Sequence, residues 1–231
     1  MTHTVVVAGV GPGLGASIAR RFAAEGCRVG LFARSPGFIA ELAAEIRDGP
    51  GDALAVPTDV TDREAVAEGF EAVREAFGPV DVLVNHASGG AWKGLLDLSA
   101  EEFERAMAVG PAGGLYCAQE AVGDMLDGAG GTVIFTGATS AVRGNGGALA
   151  FSAAKFAVRG MAESMARELG PEGIHVAHVV VDGVIRPPDR GDDADEFLDP
   201  DAIAESYWHL AEQDESAWTL ELDLRPHVED F

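Results

Sequence analysis

The chain has 231 residues, enough to bury one full hydrophobic core, and no Pro/Ser-rich or low-complexity stretch divides it, so a single domain is expected. Its 38 Asp and Glu against 16 Lys and Arg give a formal charge of −22, which disfavours nucleic-acid binding through a basic surface. The longest apolar runs, such as Thr4 to Ala8, fall far short of the roughly 20 residues of a membrane span; Met1-Thr2-His3 leads directly into a strand-like run, and the chain reads as cytoplasmic with no leader or anchor.

In chain order, short apolar runs alternate with helical patterns. Residues 4–9 precede a helix at 14–25, 28–33 precede 38–47, and 53–56 precede 63–77. The rhythm continues with 80–85 and a long helix at 100–125, then 132–136 and a helix at 149–169, then the run 174–181. A helix at 200–213 and a last strand at 218–222 complete it. Such a βαβ series calls for an α/β fold with a parallel sheet covered by helices on both faces. Val5-Val6-Val7 and Val82-Leu83-Val84 are apolar without alternation, as strands buried on both faces should be.

Two cysteines far apart, Cys27 and Cys117, fit reduced core thiols better than a disulfide framework. The six histidines show no metal-ligand spacing, and His175 and His178 fall on opposite faces of the run read as a strand, so no metal site is expected.

Directly after the first strand comes Gly9-Val10-Gly11-Pro12-Gly13-Leu14-Gly15, followed by a helix. A strand-to-helix turn without side chains lets backbone approach a pyrophosphate, and the free N–H groups and dipole at the helix start favour its charge. Dinucleotide folds that use NAD carry an acid some twenty residues on, for the ribose hydroxyls. Here the second strand ends in Phe32-Ala33-Arg34-Ser35, with a guanidinium able to fork onto the 2′-phosphate of NADP; the alternative is a solvated arginine beside a helix cap.

Gly9, Gly13 and Gly15 match the three-glycine pattern of the short-chain dehydrogenase/reductase family, which the chain resembles along nearly its whole length. The resemblance implies one doubly wound Rossmann domain with about seven parallel strands in the order 3-2-1-4-5-6-7, and an oxidoreductase acting on a small carbonyl or alcohol substrate. It places Asp59-Val60 after the third strand and Asn85-His86-Ala87-Ser88 after the fourth against the cofactor, together with Gly183 and Ile185 after the sixth. Asp59 could instead cap the helix that begins near Asp62, and Asn85 could be a turn residue.

The family's signature is a tyrosine and lysine four apart, a serine thirteen before the tyrosine, and an asparagine in the helix after the fourth strand. This chain keeps Lys155 but has Phe151, Ala138 and Gly110 at the other three positions, with Pro111 expected to kink the helix. Hydride transfer to a carbonyl builds alkoxide charge that the family's tyrosine protonates, and phenylalanine has no proton to give. Lysine in relatives also binds the nicotinamide ribose, so its retention favours a preserved dinucleotide site. His86, Ser88, Thr139, Ser140 and Ser152 are the substitute donors the sequence offers, and for each a polar loop role is the alternative. The stretch from Tyr207-Trp208 to Arg225-Pro226 resembles a divergent branch that carries phenylalanine in place of the tyrosine.

Asp182 stands where the family commonly has proline and reads as a turn cap, or as a replacement polar group near the substrate. The acidic, proline-rich segment 186–200 occupies the place of the family's mobile substrate lid. Trp92, Tyr207, Trp208 and Trp218 are expected in core or interface packing. Small residues on the two long helices, Ala106, Ala108, Ala157, Gly160 and Ala162, would permit the homodimers and homotetramers common among relatives. Arginine in place of nearly all lysine, with only Lys93 and Lys155 retained, suggests a halophilic protein whose self-repulsion is screened by salt. Two functions stand open: an NADP-dependent oxidoreductase with an incomplete catalytic set, or a non-catalytic dinucleotide-binding sensor or oligomer partner.

Overall fold

The computed structural model describes residues 3–188, 190 and 196–228. Seven strands form one parallel sheet in the order β3-β2-β1-β4-β5-β6-β9. They are β1 (Thr4–Ala8), β2 (Arg28–Ala33), β3 (Asp52–Pro57), β4 (Val82–Asn85), β5 (Gly131–Thr136), β6 (Ile174–Val181) and β9 (Glu221–Leu224). The seventh strand of the sheet is ninth in the chain because β7 (Val184–Ile185) and β8 (Phe197–Leu198) pair separately as a two-stranded ladder. Positions 189 and 191–195 of the 186–200 segment lie outside the described residues.

Alternation along each strand divides the interior into two cores. Val5 and Val7 of β1, Val82 and Val84 of β4 and Ile134 of β5 face α1 (Leu14–Ala24), α2 (Pro36–Arg47) and α7 (Pro200–Ala211). Val6, Leu83, Val133 and Phe135 face α3 (Arg63–Phe77), α5 (Gly113–Asp127) and α6 (Leu149–Leu169). A side-chain period of two in strands with both faces covered explains the unbroken valine runs.

The long helix expected over 100–125 is divided. It runs as α4 (Ala100–Met107), opens into a π-helical turn at Ala108–Ala112, and resumes as α5. Pro111 lacks the N–H an α-helical bond needs, and the wider turn absorbs its ring. The helix expected at 200–213 ends at Ala211, and the last strand starts at Glu221 rather than at residue 218. Trp218 belongs to the approach to that strand, stacked on the buried His175 with ring centroids 5.1 Å apart. His175 lies between the carbonyls of Leu210 and Thr219, to one of which its neutral ring donates, and His178 bonds Glu221 through Nδ1 while its buried Nε2 has no partner among the described residues. Both lie inside the fold, and no metal-ligating cluster of His, Cys, Asp or Glu occurs among the described residues. No helix there is long and apolar enough to cross a membrane.

Candidate active site and cofactor cleft

One cleft of about 770 Å³ opens along the carboxyl ends of β1, β2, β4, β5 and β6. Its floor is the loop after β1, where Gly9 adopts φ +104° and a Cβ would lie 2.4 Å from the Ala87 nitrogen, so only glycine fits. The amides of Gly9 and Val10 are anchored on the Phe32 carbonyl, both at 2.9 Å, which holds the loop against β2. Gly13 gives α1 no side-chain cap, and no acid occupies its first turn. An uncapped helix start without a carboxylate is arranged to receive an anion. Gly9, Gly11 and Pro12 line the cleft, whereas Leu14 and Gly15 are buried beneath it as the first turn of α1.

At one end of the cleft stand Arg34, Asp59, Val60 and Arg105. The cap of α3 is Asp62, whose carboxylate takes the amides of Glu64 and Ala65, so Asp59 does not serve as that cap. Asp59 instead accepts from the Thr61 amide and hydroxyl; these bonds, aided by the charges of Arg34 and Arg105, hold its carboxyl below the usual range. Neither Arg34 nor Arg105 has a carboxylate within ion-pair distance among the described residues. In a chain of charge −22, two exposed guanidiniums facing one cleft are a local reversal of sign.

The other end is built around Lys155, which is 6% exposed. Its Nζ donates to the Thr136 carbonyl at 2.8 Å, leaving two of three donors for the cleft it lines. Burial pushes its pKa down to about 8. Phe151, one turn earlier on α6, turns its ring toward the ammonium, 5.6 Å from Nζ to the centroid. Trp92 leans on the same ring at 5.2 Å but is 72% exposed, so of the core or interface packing expected for it the core is excluded, and it lies over the cleft. Tyr207 and Trp208 do pack inside, Trp208 edge-on to Phe22.

The substitute donors are distributed unevenly. His86 Nδ1 lies 3.3 Å from Thr136 Oγ1, which in turn bonds the buried Tyr207 hydroxyl at 2.8 Å. Burial and then the Lys155 charge push the His86 pKa down to about 4, so its imidazole is neutral at pH 7 and holds no acidic proton to deliver. Ser88 lines the cleft mouth. Ser140 and Ser152 are buried and engaged by the side chain and amide of Asn145. Ala138 lines the cleft as expected of the family's serine position, and Asn85 is buried, reaching toward the Gly114 carbonyl at 3.4 Å. Gly110 lies outside the main cleft. With Asn85, Lys155 and Val158 it lines a void of about 10 Å³ behind the lysine, near the size of one water.

Asp182 is neither a turn cap nor a lining residue. It is 2% exposed and accepts the Thr139 hydroxyl at 2.5 Å and Arg143 at both oxygens, with Arg225 3.5 Å away. A carboxylate taken out of water persists only when paired in this way. Gly183, Val184 and Ile185 then return to the cleft wall.

The short-chain dehydrogenase family model matches residues 3–191. The chain belongs to that family. Mycobacterium tuberculosis 3-oxoacyl-[acyl-carrier-protein] reductase MabA is 36% identical over 185 residues, 80% of this chain and 70% of that protein. A short-chain dehydrogenase from Rhodopseudomonas palustris superposes with a TM-score of 0.87 at 35% identity, covering 97% of this chain and 99% of the other. An alcohol dehydrogenase from Thermococcus sibiricus, complexed with 5-hydroxy-NADP, reaches 0.89 at 26% identity over 100% of this chain and 99% of its own. This short-chain dehydrogenase is thus an oxidoreductase-family protein by descent; of the residues its motifs single out, the glycine loop and Lys155 line the cleft, whereas Asn85 is buried and lines only the small void. Arg105 and Thr136 were not legible as site residues, nor was the pairing of Thr139 with Asp182, although each of those two was a candidate by itself. Tyr207 shares helical spacing with Ile203 and Leu210 and reads as core, which it also is.

Proposed function

We propose that this protein binds NADP through the cleft and acts as an oxidoreductase on a small alcohol or carbonyl compound, with an active site in which Phe151, Ala138 and Gly110 have displaced three of four familiar catalytic groups. The observation that carries the reading is the cleft that joins an uncapped α1, two arginines without ion-pair partners among the described residues and a buried lysine with spare donors. These residues fit a dinucleotide: the glycine loop for the pyrophosphate, Arg34 for a 2′-phosphate, and Lys155 for the ribose beside the nicotinamide. When bound, the nicotinamide supplies or takes up a hydride. The chain supplies position, and Lys155 holds positive charge where an oxyanion would develop.

Phe151 against the Lys155 ammonium also favours a second reading, a dinucleotide-binding protein without turnover, since loss of a general acid lowers rate by about 10² to 10⁴. Fluorescence titration with NADPH tests the shared premise, and micromolar binding is expected. Stopped-flow absorbance of NADPH against a carbonyl panel then separates the two, using the native chain and the Phe151→Tyr/Ala138→Ser double variant. Slow native turnover that rises in the variant supports the enzyme. Tight binding with turnover only in the variant supports the binding protein. A homodimer or homotetramer is proposed through α5 and α6, whose Leu115, Leu126 and Phe156 are exposed, and light scattering measures it.

A further inference from the structure

The Thr139–Asp182 pair fixes the direction of a hydrogen bond at the substrate end of the cleft. Thr139 follows Ala138 immediately and lines the cleft beside Phe151, while Asp182 lies behind it, out of contact with the cleft. A threonine hydroxyl has one hydrogen and two lone pairs, and an ionised carboxylate can only accept. At 2.5 Å the hydrogen of Thr139 is committed to Asp182, in a charge-assisted bond stronger than a neutral one. With that hydrogen committed, Thr139 Oγ1 has only lone pairs to offer a molecule in the cleft that Thr139 lines. Arg143, bonded to both carboxylate oxygens, and Arg225, 3.5 Å from one of them, hold Asp182 in that orientation. Ser140 is 1% exposed and receives the Asn145 side-chain amide, and Ser88 stands at the cleft mouth, so Thr139 is the hydroxyl of this loop that is both open to the cleft and fixed in direction.

The surrounding wall is apolar. Trp92 and Phe151 form one side as a tilted ring pair, and Val184 and Ile185 the other. Trp92 and Val184 are 72% and 60% exposed, an unusual expenditure of apolar surface on a strongly acidic chain.

We infer that Thr139, held by Asp182, is a specificity-determining hydrogen-bond acceptor, and that the site takes a small hydroxylated molecule with a flat apolar body, its O–H donated to Thr139 Oγ1 and its ring against Trp92 and Phe151. A serine at 138 would donate to a carbonyl oxygen; the arrangement here selects the alcohol. This rests on the proposed alcohol or carbonyl chemistry of the same cleft and deepens it.

The test uses 1-phenylethanol and acetophenone as probes, which differ in the hydrogen that Thr139 would accept. Binding to the coenzyme-free chain is followed by saturation-transfer NMR and calorimetry, so no turnover intervenes, and NADPH binding is measured on the same samples. The native chain should bind the alcohol about tenfold more tightly, the ratio one hydrogen bond supplies. The near-isosteric Thr139→Val should bring the ratio to about one, and Thr139→Ser should restore it. Equal or tighter binding of the ketone by the native chain, a ratio that survives Thr139→Val, or no binding of either probe would overturn the inference. Absence of NADPH binding would overturn the cofactor reading alone, since the probe ratio is obtained without coenzyme.

Discussion

Replacing Lys155 by methionine should make the coenzyme-free protein more stable and its coenzyme binding worse. The ammonium is 6% exposed, has no carboxylate partner among the described residues, and keeps one hydrogen bond, to Thr136. Burial lowers its pKa from 10.5 to about 8, which corresponds to about 3 kcal/mol of destabilisation of the charged form. His86 and His178 feel the same charge and are pushed further toward neutrality, so neither relieves it. Below pH 8 the lysine is protonated in both folded and unfolded chains and the penalty is complete. Between about 8 and 10.5 the unfolded chain binds more protons than the folded one, so this contribution to stability rises with pH, and above that range the penalty is gone. Methionine removes the penalty but leaves the Thr136 carbonyl without its donor, which offsets about 1–2 kcal/mol. Urea denaturation at fixed KCl should therefore find Lys155→Met more stable by about 1–2 kcal/mol at pH 7, with the advantage falling steadily to pH 10.5. NADPH binding should weaken at least about tenfold, the loss expected if Lys155 makes the proposed charged hydrogen bond to the ribose. A variant less stable than the native chain at pH 7, or a difference that ignores pH, would refute the reasoning. With only two lysines in the chain, NMR of labelled lysine side chains also resolves the Lys155 titration directly.

Three further outcomes are expected. Arg34→Ala should weaken NADPH binding about 10- to 100-fold and leave NADH unchanged, the loss of a forked bond to phosphate; calorimetry with both coenzymes measures it. Gly9→Ala should destabilise the fold by about 2 kcal/mol or more and abolish coenzyme binding, since its Cβ would meet the Ala87 backbone at a φ of +104°; thermal unfolding and NADPH fluorescence report the two effects. Raising KCl from low to molar concentration should raise the melting temperature, because screening relieves a charge of −22; a flat or falling curve would remove the halophilic reading.

The frame of the molecule is written in local patterns. Strand and helix identities, the parallel sheet, the glycine loop and the lysine of the long helix all depend on local patterns: a period of two, a period of 3.6, and a strand-to-helix turn that only glycine can make. Helices α3 and α6 and strands β2 and β6 have the bounds their patterns imply, because caps, glycines and prolines punctuate the chain there. Tertiary structure decided what faces what. The π-helical turn at Gly110–Pro111 depends on packing around a missing backbone donor, and Trp92 lies over the cleft because Phe151 offers it a ring. Asp182 reads as a turn residue in isolation, yet Thr139, Arg143 and Arg225 reach it from other loops and enclose its side chain. Thr136 likewise joins Lys155, His86 and Tyr207 through contacts 19, 50 and 71 residues apart in sequence. Burial, charge pairing and hydrogen-bond direction are properties of such nonlocal neighbours, and no local pattern encodes them.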